Sequence, residues 1–494
     1  MNLAGIADAH PAGATALIAG DAVISYGDLQ RRVGGVRGVL AGAGVAPGAR
    51  VALISANAPA FVVGLLGALG VGAVVVPLNP QAPPAEITAE LSSLGAVAAI
   101  AGPGATLPDD AQPPTTLVAD AGSLPGAIDL AAAEAADPVP LVERDADDVA
   151  LLMYTSGTAG LPRAAALTHG NVLANIAQIQ AHPGRLVTPA DVTLAVLPLF
   201  HVFGLTANLC VPLAAGGSVV LVPRFAPDES LELCRRHRVT ILAGAPPMFA
   251  ALAVAPAGDG ANPLASVRLA FSGAAPLADE VATAVRIRFG LPLYQGYGLT
   301  EASPVVTSSV LDGNPRPGSV GVPLPGVEVR LVDEDGEDAL AGDPGQVWVR
   351  GPNVFAGYWQ DPEATRRVLT ADGWLRTGDI GVVGDDGNMQ LVDRAKDLII
   401  VNGFNVVPAE VEAVLAQHPQ VGDVAVVGEA SPKTGEAVTA VVVPTAAGSP
   451  TLADLRAFTG ERLARYKCPT ALLIVDAIPR GQAGKLLRRS LRSP

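Results

Sequence analysis

FVVGLLGALGVGAVVVPL, residues 61–78, runs 18 residues without a charge, close to the lower limit for a membrane span. Its first part holds Gly64, Gly67, Gly70 and Gly72, and it then turns β-branched at Val74, Val75 and Val76 before Pro77. That change of texture predicts a buried helix followed by a buried strand of a parallel sheet, and a soluble chain. Outward from it, VALISA (51–56), TLAVLPL (193–199), SVVLVP (218–223) and RLAFSG (268–273) alternate with helical patterns. Such alternation implies parallel sheets covered by helices on both faces, an α/β fold. Residues 101–136, rich in Pro, Gly, Asp and Ala, read as a loose connection. From about residue 318 to 393 the texture shifts to short strands with turn signals (DEDGED, AGDPGQVWVRG, GDDGNMQLVD), a small, mostly antiparallel, β-barrel-like unit. The last hundred residues carry their own β-α-β pattern, with the helix-like AEVEAVLAQHP and the strand DVAVVGE.

Composition narrows the class. At 494 residues the chain can hold two or more domains with substantial cores. The three cysteines (Cys210, Cys234, Cys468) form no C-x-x-C pair, which argues against a disulfide framework or zinc cluster and for a reducing cytosol. The start, MNLAGIADAHPAG, lacks the basic and apolar regions of a signal peptide. Net charge is −15; residues from Arg394 onward hold 12 Lys/Arg against 9 Asp/Glu, leaving −18 for residues 1–393. An acidic body disfavours nucleic acid as a partner, while a mildly basic C-terminal piece suits small polyanions.

The chemistry starts at YTSGTAGLPRAA, residues 154–165, directly after an apolar run. Thr155, Ser156 and Thr158 supply hydroxyls, Gly157 and Gly160 let the backbone come close, and Arg163 adds a guanidinium. Small residues with exposed N–H groups make a concavity suited to phosphate oxygens. No G-x-x-x-x-G-K-[ST] occurs, so this is not a Walker A loop. Alone, it would read as an ordinary Ser/Thr/Gly loop.

Four further stretches follow in order: QGYGLTEASP (295–304), GWLRTGD (373–379), DRAKDLIIVNGFNVVPAEVE (393–412) and PRGQAGKLLRR (479–489). Together with the loop they resemble the adenylate-forming acyl-CoA synthetase superfamily over nearly the whole chain. The resemblance implies a large N-terminal domain (1–393, with the β-rich part at about 318–393) and a small mobile α+β domain (394–494). It implies ATP and CoA as cosubstrates and Mg²⁺ as the metal. Thr155, Ser156, Gly157, Thr158 and Arg163 would hold the outer phosphates of ATP. Gln295, Gly296, Tyr297, Gly298 and Thr300 would lie along the nucleotide, with Tyr297 stacked on adenine and Ala274, Ala275 and Pro276 along its other edge. Asp379 and Arg394 would take the ribose, and Glu301, next to Thr300, would be the metal carboxylate. Lys485 would stabilise the α-phosphate during adenylation, Lys396 would be the hinge, and Gly403, Phe404, Asn405 and Arg224 would meet CoA. Arg163 and Ala159 stand where the family more often has lysine and threonine, and weaker ATP binding is expected from both.

His201, Phe203, Ala207, Gly298, Pro304 and Val305 would form the acyl pocket by the same resemblance, with His201 gating it. His201-Val202 replaces the Phe-Asp pair of amino-acid-activating relatives, and an unpaired ammonium against Val202 would be costly. The pocket reads as wholly apolar, so a medium- or long-chain fatty acid fits best. An unsubstituted aryl or short branched acid, or an acyl-AMP ligase serving a carrier protein, are the alternatives within the class. A non-catalytic nucleotide-binding regulator is the alternative outside it, supported only by Arg163 and Ala159. A cytoplasmic protein without stable membrane insertion is expected, and a homodimer is left open.

Overall fold

A computed structural model describes the chain except residues 83, 106, 109–112, 120–125, 156–162, 182–185, 257–261, 312, 314, 334, 341, 395–398, 402–403, 407, 432–433, 464, 481–485, 487–490 and 492–494. At 85, 393, 394, 400, 404, 405, 435 and 466 it describes the backbone alone. Two compact units result: one comprises residues 1–317, 321–328 and 349–375, the other 318–320, 329–348 and 376–494.

The apolar run at 61–78 resolves as the sequence texture predicts, into helix Pro59–Gly70 and strand Val74–Leu78. Every residue of that helix beyond its leading proline is buried, as is the whole strand. The glycines serve packing. A Cβ on Gly67 would lie 2.8 Å from Val36 Cγ1 of helix Tyr26–Gly42, and one on Gly64 would lie 3.0 Å from Leu53 Cδ1 of the sheet beneath. The helix is thus pressed between another helix and a sheet, which an all-round apolar sequence requires. No helix among the described residues is long and apolar enough to cross a membrane.

That sheet runs in the order Gly357–Tyr358, Arg163–Thr168, Val149–Thr155, Val74–Leu78, Arg50–Ile54, Ala98–Ala101, Thr115–Val118, Ile128–Asp129. It is parallel from Val149–Thr155 to Ile128–Asp129, with Val51 opposite Val75 and Val75 opposite Leu151. Residues 101–136 are therefore not merely a loose connection. They contribute Thr115–Val118 and Ile128–Asp129 as strands, and helix Leu130–Glu134 follows. Thr116, Leu117 and Val118 are buried, a four-residue signal too short to stand out in Pro/Gly-rich surroundings.

The second sheet of this unit has parallel neighbours Thr15–Ala19, Ser218–Leu221, Val192–Ala195, Ile241–Gly244, Leu269–Ser272 and Leu293–Gly298. Ala22–Ser25 flanks it antiparallel on one side and Val305–Ser308 on the other, where Thr307 and Ser308 pair onward with Pro323 and Val322. Helices Pro227–Arg236, Pro246–Val254 and Asp279–Phe289 cover it around a core that includes Leu194, Val220, Leu242, Phe249, Val285 and Phe289.

The other unit has strands Glu328–Val332, Gly345–Arg350, Leu375–Val383 and Met389–Arg394, the last two antiparallel. A further sheet runs Phe404–Val406, Ile399–Val401, Gly435–Pro444, Val421–Ser431, and Ala471–Ile474 pairs in parallel with Gly435–Pro444. Helices Pro408–Leu415 and Leu452–Gly460 complete a core of Ile399, Val411, Leu415, Val426, Ala440 and Leu455.

Candidate active site

Residues 154–163 bridge two antiparallel strands. Val149–Thr155 and Arg163–Thr168 face each other so that Thr155 opposes Arg163, and Thr155 Oγ1 donates to the Arg163 carbonyl at 3.3 Å. Ser156, Gly157 and Thr158 lie outside the described residues; the ladder fixes Thr155 and Arg163.

Arg163 is held from one side. Its Nε donates to Asp361 Oδ2 at 3.0 Å, and its guanidinium carbon lies 5.8 Å from the centroid of the Tyr358 ring. Asp361 is also the N-cap of helix Pro362–Val368, where Oδ1 accepts the Ala364 N–H at 2.8 Å. The capping bond first, and then Arg163, hold its carboxyl below the usual range. Tyr358 sits in the short strand Gly357–Tyr358, opposite Ala165, and its hydroxyl donates to Glu301 Oε1 at 2.7 Å. Burial, and then the Glu301 carboxylate, push the Tyr358 hydroxyl well above the ordinary tyrosine value, so it stays protonated and donates. Glu301 lies in a single 3-10 turn, Thr300–Ala302, with its carbonyl accepting the Phe355 N–H at 2.9 Å. Four side chains thus form one chain of contacts: Asp361, Arg163, Tyr358 and Glu301.

Gln295, Gly296, Tyr297 and Gly298 occupy the carboxyl end of strand Leu293–Gly298. Ala274, Ala275 and Pro276 follow the carboxyl end of its parallel neighbour Leu269–Ser272. Ligands of open α/β sheets bind outside this edge. Ala274 is held at φ 71°, a left-handed conformation costing a non-glycine residue about 1–2 kcal/mol. Gly298 is required by its neighbour: a Cβ there would lie 2.1 Å from the Pro304 carbonyl oxygen, which accepts the Leu299 N–H at 3.0 Å. Tyr297 is buried and opposes Thr307.

Against the strands of this sheet lies an apolar cavity of about 60 Å³. Ile179, Val211, Ala243, Phe271, Val310 and Leu324 are among its walls. Of the expected acyl-pocket residues, Ala207 and Val305 line it; His201, Phe203, Gly298 and Pro304 do not. Phe203 stands behind the wall, edge-on to Phe271 at 6.1 Å between centroids. His201 is exposed and tilted against Phe200 at 4.6 Å. Ser308 is the polar residue in the wall, and its Oγ accepts the Val310 N–H at 3.2 Å. Ala207 belongs to a π-helical stretch, Gly204–Cys210, a local form frequent at functional sites and invisible to a 3.6-residue pattern.

Arg224 is exposed shortly after strand Ser218–Leu221. In the other unit Asp379 is buried, and its register partner across the strand pair is Arg394. Phe404 and Asn405 lie in strand Phe404–Val406. Lys396, Gly403 and Lys485 lie outside the described residues. Tyr358 and Asp361 were not singled out from sequence, although Asp361-Pro362-Glu363 has the N-cap, N1 proline and first-turn acid of a helix start.

No cluster of three His, Cys, Asp or Glu able to cage a metal occurs among the described residues. A lone carboxylate such as Glu301 nevertheless suits Mg²⁺, which binds through one or two carboxylates plus substrate phosphates. One Glu301 oxygen takes the Tyr358 hydroxyl, and a carboxylate has accepting capacity beyond that bond.

Comparison with known proteins extends this geometry. The AMP-binding enzyme family matches residues 4–359, and the AMP-binding enzyme C-terminal domain matches residues 410–485. A feruloyl-CoA synthase of an Amycolatopsis species is 39% identical over 97% of this chain and 95% of its own length. A long-chain-fatty-acid–CoA ligase of Yersinia pestis is 36% identical over 91% of this chain and 86% of its own. Among solved structures, ATP-bound MatB from Rhodopseudomonas palustris superposes with a TM-score of 0.89 at 32% identity, covering 100% of this chain and 98% of that one.

Proposed function

The chain belongs to the AMP-binding enzyme family and is an AMP-forming acid–CoA ligase, and on that premise we propose that its acid is a medium- or long-chain fatty acid. The observation that carries this reading is the cavity wall. It offers alkyl groups and the Phe271 ring, with Ser308 as the one polar side chain among its described lining residues. A phenolic hydroxyl or methoxy oxygen placed out of reach of Ser308 would lose its water without a partner, at about 1–3 kcal/mol. A second reading, an aryl acid, is favoured by the Phe271 ring and by the feruloyl-CoA relative.

In the first half-reaction the carboxylate oxygen attacks the α-phosphorus of ATP and pyrophosphate leaves. In the second the CoA sulfur attacks the acyl-AMP carbonyl and AMP leaves. Both reactants of the first step are anions, so the site must offset charge as well as align them. Arg163 and the hydroxyls of Thr155, Ser156 and Thr158 would bind the outer phosphates, Asp379 the ribose and Lys485 the α-phosphate. Mg²⁺, held by Glu301, would supply charge neutralisation on the phosphates. Pyrophosphate release should be measured with octanoate, dodecanoate, palmitate, cinnamate, 4-coumarate and ferulate, with and without CoA. The alkyl acids should give the highest kcat/KM, cinnamate should follow, and the two phenolic acids should fall at least about tenfold below. Ferulate or 4-coumarate as the best substrate would overturn the reading.

A further inference from the structure

We infer that Tyr358 and Asp361 are positioning residues of the nucleotide site, through which one short segment fixes both Glu301 and Arg163. The inference rests on reading Arg163 as a phosphate ligand and Glu301 as the metal carboxylate. The segment is itself fixed: Gly357 and Tyr358 pair with Ala166 and Ala165, the Trp359 N–H donates to the Ala164 carbonyl at 2.8 Å, and Ala356 donates to Ala166 at 3.0 Å. It is therefore bonded to the strand that begins at Arg163. Four residues along it, both side chains reach their partners, Tyr358 to Glu301 at 2.7 Å and Asp361 to Arg163 at 3.0 Å.

The two contacts solve different problems. Glu301 lies on a single helical turn, so its carboxylate has little local restraint; the Tyr358 hydroxyl pins one oxygen and directs the other. Asp361 divides its oxygens, one capping helix Pro362–Val368 and one taking Arg163 Nε. Gripping the guanidinium by Nε leaves Nη1 and Nη2, which make no hydrogen bond among the described residues, as a planar fork for phosphate. A lysine offers one nitrogen on a flexible stem and cannot be clamped and presented in this way. The arginine in place of the family's lysine thus has a partner that makes use of it. The side chains of Arg163 and Asp361 are 28% and 37% exposed, so the pair adds little to stability. Its value lies in holding the fork in one orientation before ATP arrives.

Calorimetric titration of the full chain with ATP, in the absence of acid and CoA, tests this with and without Mg²⁺. Asp361→Asn keeps a good N-cap while removing the charge. It should weaken ATP binding by about three- to tenfold, and by less than about twofold in an Arg163→Lys background. Tyr358→Phe should leave Mg²⁺-free ATP binding unchanged and raise the Mg²⁺ concentration for half-maximal enhancement by about three- to tenfold. Equal losses from Asp361→Asn in both backgrounds, or tighter ATP binding, would overturn the role of Asp361. An unaltered Mg²⁺ dependence would overturn that of Tyr358. Arg163→Ala separates the premises: loss of ATP affinity in it alone leaves the phosphate reading standing and removes the positioning, whereas wild-type affinity removes both.

Discussion

Arg163 shows how far a single residue could be read. Its type and place after a Ser/Thr/Gly run point to phosphate, and the ladder sets it opposite Thr155. Arg163→Ala is expected to raise the KM for ATP about tenfold, since a charge-assisted hydrogen bond contributes about 1.5–3 kcal/mol. The KM for the acid should stay within twofold of wild type, because Ala207 and Val305 belong to other segments; initial rates at varied ATP and varied acid check both. Glu90 is a residue the sequence did not mark. It lies in helix Pro84–Leu94, near Tyr154; burial raises the Tyr154 hydroxyl, with a smaller push from Glu90, and that hydroxyl bonds Ser93 Oγ at 2.9 Å. Burial, reinforced by Glu86, pushes the Glu90 carboxyl up to about 7. The folded state therefore keeps this proton while the unfolded chain releases it from about pH 4.5, and stability falls as pH rises from there to about 7. Glu90→Gln should raise the unfolding midpoint by about 1–3 °C at pH 8 and leave it unchanged at pH 4. Scanning calorimetry at the two pH values decides it.

At the scale of elements, three neighbouring parallel strands are tied at their amino ends by one carboxylate. Asp191 precedes Val192–Ala195, Thr240 precedes Ile241–Gly244, and Arg268 precedes Leu269–Ser272. The buried Asp191 accepts from Arg268 Nε at 2.8 Å and Nη2 at 2.6 Å, from Thr240 Oγ1 at 2.8 Å, and from Thr188 N and Oγ1 at 2.8 and 2.9 Å. Burial alone would raise its pKa; the bonds from Arg268, Thr240 and Thr188 outweigh that and bring it down to about 2. Asp191→Asn should destabilise by about 2–4 kcal/mol at pH 7 in denaturant titration. A depressed carboxyl contributes stability above its unfolded value, so the gap to wild type should close as pH falls from about 4 to 2. The network lies at the end of the sheet opposite Ala274 and Gly298, so the KM for ATP should not move. A change in it would show that the network supports the nucleotide site as well as the sheet.

For the whole molecule, the two half-reactions give separate readouts of the C-terminal segment. The sequence places Lys485 as the cation for the α-phosphate and Lys396 as the hinge. Lys485→Ala is expected to lower acyl-AMP formation by about a hundredfold or more while sparing thioester formation from supplied acyl-AMP. Lys396→Pro, which fixes φ and removes an N–H, should do the reverse. Single-turnover assays of each half-reaction separate the two; parallel losses in both steps would remove the assignments.

What the sequence determined alone follows from local rules. The switch from glycine-spaced to β-branched residues in 61–78 gave a helix and a strand, because small residues let a wholly buried helix pack closely on both sides while β-branched side chains favour a pleated strand. The stretch 154–165 and the run 295–301 hold the side chains on which the phosphate and metal proposals rest, because that chemistry needs particular side chains at short spacing. Tertiary structure decided what depends on partners distant in sequence. Tyr358 meets Glu301 across 57 positions and Asp361 meets Arg163 across 198. The strand Thr115–Val118 was hidden because its burial comes from neighbours in the sheet, not from its own four residues. Gly298 reads as a pocket residue in sequence, but a carbonyl six residues on requires it. The π-turn at Gly204–Cys210 put Ala207 in the cavity wall and left Phe203 behind it, since side-chain direction there follows the packed backbone and not the order of residues.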